Sequence, residues 1–314
     1  MLFRSIRANN AQTGHPLVPA TVLHINPSTG IVDAIIAATY LTAARTAAGS
    51  AIAIYHYFHH LEERHRKKPE YQDEKRTSVG TGSDTSPFCP EHVVVFGAGL
   101  QAEQHIRAIA CIFQYCIPYV TIINRNVQRS ELLKAKLMAE RLVLSVSIEP
   151  LASENSKRIE ETILLSADVI LTCTNTSTPL WGTTTTICDD VKERKETNPW
   201  TNRCCIIAGI GSYTPSMQEI PSHVVNACQH IWIDTPEATK VGDLKHLSSI
   251  QRTPELLGSV LPHQLHTQHI HQPPKYNGLV FYKAVGTAIQ DILTADVIID
   301  KARRLGIGTS IDMS

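Results

Sequence analysis

One short segment, residues 93–102, constrains the fold of this chain more than any other. It reads Val-Val-Val-Phe-Gly-Ala-Gly-Leu-Gln-Ala, which is an apolar strand, a GxGxxA turn and the start of a helical stretch. Gly97 permits the tight turn, Gly99 lets the backbone approach a pyrophosphate, and Ala102 allows close packing of the helix on the strand. The helix N-terminus adds N–H groups and a partial positive charge. The segment therefore predicts a dinucleotide-binding turn, and the competing interpretation is a glycine turn that binds no ligand.

The chain that follows this turn alternates apolar strands with helical stretches. Strands are predicted at 92–96, 119–124, 142–148, 167–174, 204–210 and 230–234, and helices at 100–115, 127–141 and 152–165. Continuous apolar strands separated by helices are typical of a parallel sheet that is covered on both faces. We therefore predict an α/β fold, with a Rossmann-like doubly wound parallel sheet and a second, smaller α/β domain.

The N-terminal part of the chain has a different pattern. Residues 18–26 alternate apolar and polar side chains and end at a Pro-Ser-Thr-Gly turn, which predicts a strand. Residues 31–61 are rich in alanine and contain no proline, which favours one or two long buried helices. Arg45 lies alone among alanines and threonines there. A charge on an apolar helix must be paired or must bind something.

Changes in composition suggest the domain boundaries. Residues 62–90 are charged and then rich in Gly, Ser and Thr, which predicts a polar linker or insertion, and 183–203 form a second polar stretch. We predict a Rossmann nucleotide-binding domain at 91–278. Residues 1–61 together with 279–314 are expected to form the smaller domain.

Composition excludes several classes of partner. The 29 Lys and Arg residues balance 29 Asp and Glu residues, so the chain lacks the basic excess that nucleic-acid binding requires. No apolar run approaches the length of a membrane span, so no membrane association is expected. The eight cysteines include no CxxC pair, and Cys173, Cys204 and Cys205 lie in apolar runs. Buried free thiols suit a reducing compartment, which favours a cytoplasmic protein.

The end of the strand at 119–124 bears on cofactor choice. It runs into Asn124-Arg125-Asn126, and no acidic residue occurs in 122–128. NAD sites present an acidic residue here to the ribose 2′-hydroxyl, whereas an arginine suits a 2′-phosphate. The sequence therefore favours NADP(H) over NAD(H). In the alternative interpretation, Arg125 stacks on the adenine or faces solvent.

The strand at 167–174 ends in polar residues. Ligands of open α/β sheets bind outside the carboxyl ends of the strands. Thr172 and Thr174 are therefore expected to reach the ribose or nicotinamide side of the cofactor.

Several segments together resemble the ornithine cyclodeaminase/mu-crystallin family. In chain order they are YLTAARTAAGSAIA, GAGLQAEQH, INRN, ADVILTCTNTSTP, AGIGSYTPSMQEIP and VFYKAVGTAIQD. The resemblance extends from about Pro16 to Gly308. It implies a nicotinamide-binding Rossmann domain and a second domain that binds substrate and forms a homodimer. Members include ornithine cyclodeaminases, alanine dehydrogenases and ketimine or pyrroline carboxylate reductases.

The resemblance also implies roles for individual residues. Arg45 would hold the carboxylate of a small amino-acid-like substrate, and Asp291 would follow on the last helix. The implied cofactor-binding residues are Gly97, Gly99, Leu100, Gln101, Asn124, Arg125, Asn126, Thr172, Thr174, Lys283 and Gly286. The resemblance places Lys283 and Gly286 near the nicotinamide. It implies no metal, and no catalytic residue is assigned.

Two departures from the family pattern affect the predicted activity. Tyr213 or a neighbour stands where ornithine cyclodeaminases carry an Asp, and a tyrosine cannot act as a carboxylate near neutral pH. The chain also begins later than the family pattern, so the smaller domain is expected to be incomplete at its start. We predict NADPH-dependent reduction of a cyclic imine (ketimine) carboxylate to a cyclic amino acid. The alternatives are an NAD-dependent ornithine cyclodeaminase and a non-catalytic member that binds NADPH or a small ligand.

A dense histidine run stands apart from these motifs. His263, His266, His269 and His271 precede two prolines. The run is interpreted as an exposed polar loop, with adventitious metal binding as the alternative.

Overall fold

The computed structural model describes residues 2–5, 7, 10, 13–16, 18–66, 89–182, 200, 203–245, 252–261 and 278–309. They divide into two compact units. The smaller unit comprises Met1–Ala47 with Gly286–Ser314, and the larger unit is Ala48–Val285.

The described strands are β1 Leu2–Arg4, β2 Ala20–Ile25, β3 Val32–Ala37, β4 His92–Phe96, β5 Ile117–Asn124, β6 Val143–Pro150, β7 Val169–Thr172, β8 Cys205–Gly209, β9 His230–Ile233, β10 Glu255–Leu256 and β11 Leu279–Lys283. The main helices are α1 Thr39–Arg66, α2 Leu100–Phe113, α3 Val127–Ala139, α4 Ser222–Ala227, α5 Leu257–Val260 and α6 Ala288–Leu305. Residues 153–164, predicted as one α-helix, instead form successive 3-10, α and π turns.

The larger unit is built on one parallel sheet of eight strands, in the order β10-β9-β11-β8-β7-β4-β5-β6. The chain moves outward from β4 to β6 and then returns to place β7 beside β4. Strand order therefore reverses between β4 and β7, and ligands of such sheets bind at this reversal. The predicted Rossmann-like α/β class is confirmed.

Apolar clusters cover both faces of this sheet. On one face, Ile54 and Tyr57 of α1 join Ile106 and Ile109 of α2. The cluster on the other face includes buried tryptophans, among them Trp181. Every residue of β4, β7 and β8 is buried, as their continuous apolar sequences predicted, and so is every residue of β11. Burial on two faces holds the loops at the carboxyl ends of these strands in fixed positions.

The placement of β11 differs from the sequence prediction. Residues 279–314 were assigned to the smaller domain, but β11 lies inside the large sheet, between β8 and β9. The prediction missed it because the strand follows β9 by a long interval, although Asn277-Gly278 directly before it is a turn signal. The other predicted domain boundaries stay a prediction.

The smaller unit contains an antiparallel sheet in the order β1-β2-β3. Its core includes Val22, Leu41 and Ala295, the last of which lies on α6. Residues 31–61 were predicted to be helical throughout, and for residues 32–37 this is wrong. Side chains of β3 alternate between half-buried and exposed, and the strand pairs with β2 across the turn at 27–30. Its alanines and isoleucines obscured this period of two in the sequence.

Candidate functional site

The glycine turn between β4 and α2 has the geometry of a phosphate cradle. Gly97 has φ +102°, and a Cβ there would lie 2.8 Å from the carbonyl oxygen of Cys173, which follows β7. Only glycine satisfies both conditions. Gly99 is exposed, and a Cβ there would meet open space. It is the N-cap of α2 without a side-chain cap, so the first N–H groups of the helix face a gap suited to an anion.

Leu100 and Gln101 continue this cradle into α2, and both are half-buried. The Oε1 atom of Gln101 is buried and has no hydrogen-bond partner among the described residues. A buried acceptor without a partner costs free energy unless a ligand donates to it. The turn therefore fits the dinucleotide that the sequence resemblance implies.

The loop after β5 presents an arginine. Asn124 donates from Nδ2 to the carbonyl oxygen of Asn126 at 2.9 Å, and Asn126 accepts from the N–H of Arg129 at 3.0 Å as the N-cap of α3. Both asparagines thus shape the loop. Arg125 is exposed and makes no hydrogen bond or ion pair with any residue that the structure describes. Its guanidinium group is available to an anionic ligand.

The two threonines at the end of β7 donate hydrogen bonds to the carboxylate of Glu219, a residue that the sequence analysis did not predict as part of the site. Thr172 donates to Glu219 at 2.9 Å, and Thr174 donates its hydroxyl at 2.6 Å and its N–H at 2.7 Å. The N–H groups of Gly211 and Ser212 donate to the same carboxylate at 2.8 and 3.1 Å. Thr172 is fully buried and Thr174 half-buried. Their observed partner is therefore Glu219, and their cofactor role stays a prediction.

Lys283 at the end of β11 is fully buried beside Asp243. The side chains of both are 0 % exposed, with 3.4 Å between Nζ and Oδ2. Ser212 bridges them, because Lys283 donates to its hydroxyl at 2.5 Å and that hydroxyl donates to Asp243. The N–H groups of Glu219 and Ile220 donate to the other carboxylate oxygen of Asp243 at 2.7 and 2.9 Å. We call Ser212, Glu219, Asp243 and Lys283 the buried charge cluster.

Close backbone contacts hold the loops around the buried charge cluster. A Cβ at Gly211 would lie 1.7 Å from the carbonyl oxygen of Thr174, and one at Gly242 would lie 2.0 Å from that of Ser212. Burial raises the pKa of Glu219, whereas the Lys283 ammonium and the Thr174 donors act in the opposite direction. Sequence reasoning missed Glu219 and Asp243 as site residues. The glycines beside them were the available signal, because each permits a close backbone approach.

Arg45, in the smaller unit, is buried and ion-paired. Its Nε donates to Asp291 Oδ1 at 2.9 Å, and its Nη1 donates to Gln290 Oε1 at 3.1 Å. A Cβ at Gly286, which has φ +85°, would lie 2.0 Å from Nη1. Asp291 therefore provides the partner that the buried charge of Arg45 requires. The predicted contact of Arg45 with a substrate carboxylate, and that of Gly286 with the nicotinamide, stay predictions.

The smaller unit also contains a cavity of about 600 Å³. Residues from β2 and its turn form one wall and residues of the α6 region the other: Val22, Leu23, His24, Ile25, Pro27, Gly286, Thr287, Ala288, Asp291, Ile292, Ala295 and Asp296. The lining is mostly apolar with a few polar groups, as is usual for small-ligand cavities.

Other sequence predictions have mixed outcomes. The histidine run at 263–271 and the polar stretches 67–88 and 183–199 lie outside the described residues. Within the described ranges, no group of His, Cys, Asp and Glu side chains is arranged to hold a metal ion, and no helix is both long and apolar enough to cross a membrane. The described cysteines are free thiols. Cys205 is buried as expected and burial raises its pKa to about 12, but Cys204 is exposed, contrary to prediction.

Similar proteins share this architecture. The model of the ornithine cyclodeaminase/mu-crystallin family matches residues 3–62. An "uncharacterized cyclodeaminase" of Dictyostelium discoideum is 29 % identical over 98 % of this chain and 76 % of its own length. A Δ1-pyrroline-2-carboxylate reductase of Bacillus thuringiensis is 23 % identical over 96 % of this chain and 77 % of its own. An archaeal alanine dehydrogenase dimer with bound NAD superposes with a TM-score of 0.67 at 20 % identity, covering 100 % of this chain and 80 % of the dehydrogenase.

The doubly wound sheet and its glycine turn define an α/β protein of the Rossmann type. Residues 3–62 match the model of the ornithine cyclodeaminase/mu-crystallin family, and the chain is similar along nearly its whole length to proteins named a cyclodeaminase and a pyrroline-2-carboxylate reductase.

Proposed function

We propose that this chain is an NAD(P)(H)-dependent oxidoreductase that reduces a cyclic imine carboxylate, a ketimine, to a cyclic amino acid. The observation that carries the proposal is the cradle between β4 and α2, where Gly97 packs on Cys173 and Gly99 borders open space. The named relatives support the reaction class, because they are a pyrroline carboxylate reductase and a cyclodeaminase. Both names denote chemistry at a carbon–nitrogen bond.

Several residues of the larger unit are suited to binding a nicotinamide dinucleotide. The N–H groups at the start of α2 bind the pyrophosphate, and Gln101 offers its buried acceptor atom. Arg125 is exposed in the loop after β5, and a guanidinium group there suits a 2′-phosphate, which favours NADP(H) over NAD(H). When bound, the cofactor supplies the hydride that the imine carbon accepts. The imine nitrogen takes a proton, and we assign no side chain to this step.

Arg45 supplies the positive charge proposed to recognise the substrate carboxylate. Asp291 and Gln290 hold its planar guanidinium group in place. A pre-positioned arginine favours bidentate binding of a carboxylate. Arg45→Ala and Arg45→Lys should both raise KM for the imine carboxylate, with circular dichroism confirming the fold. An unchanged KM in the lysine variant would remove this role.

The reaction is tested by titrating the purified chain with NADPH and NADH separately. A cyclic ketimine carboxylate is then added, and the loss of dihydronicotinamide absorbance is followed. We expect tighter binding of NADPH and oxidation of the cofactor only when the ketimine is present. The proposal fails if neither nucleotide binds.

Two other activities are separated by the same assay. The Dictyostelium relative named a cyclodeaminase favours ornithine cyclodeamination, whereas the expected presence of Tyr213 or a neighbour at the position of the usual Asp opposes it. Formation of proline and ammonia from L-ornithine would establish that activity instead. The engagement of Arg45 by Asp291 favours a non-catalytic binder. Tight NADPH binding without turnover would support it.

We further propose that the protein is a cytoplasmic homodimer. The free thiols support the compartment. Apolar side chains on the surface of the smaller unit support the dimer: Ile35 on β3 is 68 % exposed, and Ile289, Leu293 and Val297 follow one another at four-residue spacing on α6. Such a contiguous exposed apolar stripe is typical of a protein interface.

A further inference from the structure

We propose that the buried charge cluster sets the relative affinity of this chain for the oxidised and the reduced nicotinamide cofactor. The proposal rests on the function proposed above, because it needs a nicotinamide ring at the carboxyl edge of the sheet. It assigns electrostatic roles to Glu219, Asp243 and Lys283, as positioning and field-setting groups that do not react.

The buried charge cluster lies at the carboxyl edge of the large parallel sheet. Ser212 and Glu219 follow β8, Asp243 follows β9, and Lys283 ends β11. Thr172, at the end of β7, donates to Glu219. These strands lie on one side of the strand-order reversal between β4 and β7. Arg125 follows β5, on the other side of that reversal. A dinucleotide lies across such a reversal. With the adenosine half toward Arg125, the nicotinamide half extends toward the strands that carry the cluster.

The cluster contains more negative than positive charge. One ammonium, that of Lys283, is enclosed with two carboxylates, those of Glu219 and Asp243. Three backbone N–H groups donate to Glu219, and a carboxylate accepts such donors best when it is ionised. Two further N–H groups donate to Asp243. The formal count is therefore one positive and two negative charges, an excess of negative charge.

The groups of the cluster are buried. Ser212, Glu219 and Lys283 are 0 % exposed, so water and salt screen their charges weakly. The oxidised nicotinamide ring is positively charged and the reduced ring is neutral. Negative charge fixed near the ring would favour the oxidised form. It also favours the positive charge that develops on the ring while hydride leaves, which assists reduction of an imine.

The test compares the dissociation constants of NADP+ and NADPH, measured by calorimetry on the full chain. Glu219→Gln and Asp243→Asn each remove a negative charge at constant shape, and Lys283→Met removes the positive charge. We expect the first two to lower the affinity for NADP+ relative to NADPH by about fivefold, and Lys283→Met to raise it by a similar factor. Opposite directions separate an electrostatic effect from structural damage, which would weaken both nucleotides alike.

Ser212→Ala is the matched control, because it removes the bridge between Lys283 and Asp243 without changing charge. It should alter both affinities by the same factor. The proposal is overturned if Glu219→Gln and Lys283→Met leave the ratio within about twofold, or move it in the same direction. If Glu219→Gln or Lys283→Met does not fold, the ratio of the two affinities in Asp243→Asn decides the outcome. If the unaltered chain binds neither nucleotide, the proposed function fails and this inference fails with it, whereas normal binding with an insensitive ratio overturns only this inference.

Discussion

Arg45 and Asp291 are 246 positions apart in the chain, yet they form a buried ion pair with 2.9 Å between Nε and Oδ1. The pair joins α1 to α6 within the smaller unit, where the side chains are 3 % and 9 % exposed. Removing one member of a buried pair leaves the other charge without compensation. The contribution of the pair to the stability of the fold can therefore be measured by replacing one of the two residues.

Asp291→Asn should lower the free energy of unfolding by about 3 kcal/mol, because Arg45 would remain buried without a carboxylate. Urea denaturation followed by circular dichroism measures the change. Asp300→Asn, an exposed acidic position on the same helix, should change it by less than about 0.5 kcal/mol. Equal effects of the two substitutions would contradict the importance of the pair.

The two glycines of the β4–α2 turn should respond differently to alanine. Gly97→Ala places a Cβ 2.8 Å from the carbonyl oxygen of Cys173 at φ +102° and should destabilise the fold by about 2 kcal/mol. Gly99→Ala meets open space, so stability should change by less than about 0.5 kcal/mol. Its methyl group nevertheless occupies the gap proposed for phosphate. Thermal unfolding and nucleotide titration of both variants check the contrast, and undiminished nucleotide affinity in Gly99→Ala would count against the cradle.

Arg125→Ala tests the preference for NADP(H). Because Arg125 is exposed and makes no hydrogen bond or ion pair with the described residues, the fold should be unaffected. Affinity for NADPH should fall by about tenfold, as expected for loss of one charge-assisted hydrogen bond, while affinity for NADH stays the same. Lys301→Ala removes the same charge from an exposed position on α6 and serves as the control. A parallel loss of NADH affinity would assign Arg125 to a part of the cofactor other than the 2′-phosphate.

Acid should destabilise the larger unit through His105. Burial lowers the pKa of His105 to about 4, and its ring nitrogens contact the carbonyl oxygen of Gln101 at 2.7 Å and the Ser50 hydroxyl at 3.0 Å. The unfolded chain binds a proton near pH 6.5 and the folded chain does not, so stability falls as the pH drops from about 6.5 to about 4. The loss should be on the order of 2–3 kcal/mol by pH 4.

Urea denaturation at several pH values measures that slope. His105→Gln keeps a donor and an acceptor but cannot titrate, so its stability should vary less with pH over this window. His15, which is exposed, offers a control substitution, His15→Gln, that should leave the slope as it is. A slope unchanged in His105→Gln would exclude His105 as its source.

The dimer proposal is tested at the centre of the α6 stripe. Leu293→Asp places a charge on a side chain that is 58 % exposed and should convert a dimer to a monomer in light scattering coupled to gel filtration. Leu132→Asp on α3, where the side chain is 72 % exposed, should leave the mass unchanged. A monomeric unaltered chain would contradict the proposal.

The sequence predicted those features whose causes are local. The strand–turn–helix around Gly97 is encoded in consecutive residues, and the parallel sheet follows from repeated apolar runs. β3 was missed because alanines and isoleucines suit both a helix and a strand. Its pairing with β2 decided the outcome.

The buried charge cluster could not be assembled from the sequence. Ser212, Asp243 and Lys283 are far apart in the chain and meet only when β11 takes its place in the sheet. In the same way, the partner of Arg45 was not evident, although the need for one was. The local sequence showed that a buried charge such as Arg45 needs a partner, but only the tertiary structure shows which residue that partner is.

The position of β11 has a consequence for the order in which the chain folds during synthesis. β8 and β9 are made well before residues 279–283, yet β11 separates them in the finished sheet. Until those residues leave the ribosome, β8 presents an unpaired edge, and β9 and β10 have no connection to the rest of the sheet. Unpaired edges invite association with other chains. The nascent protein is therefore most vulnerable to aggregation during that interval, and a pause in translation just before β11 would lengthen it.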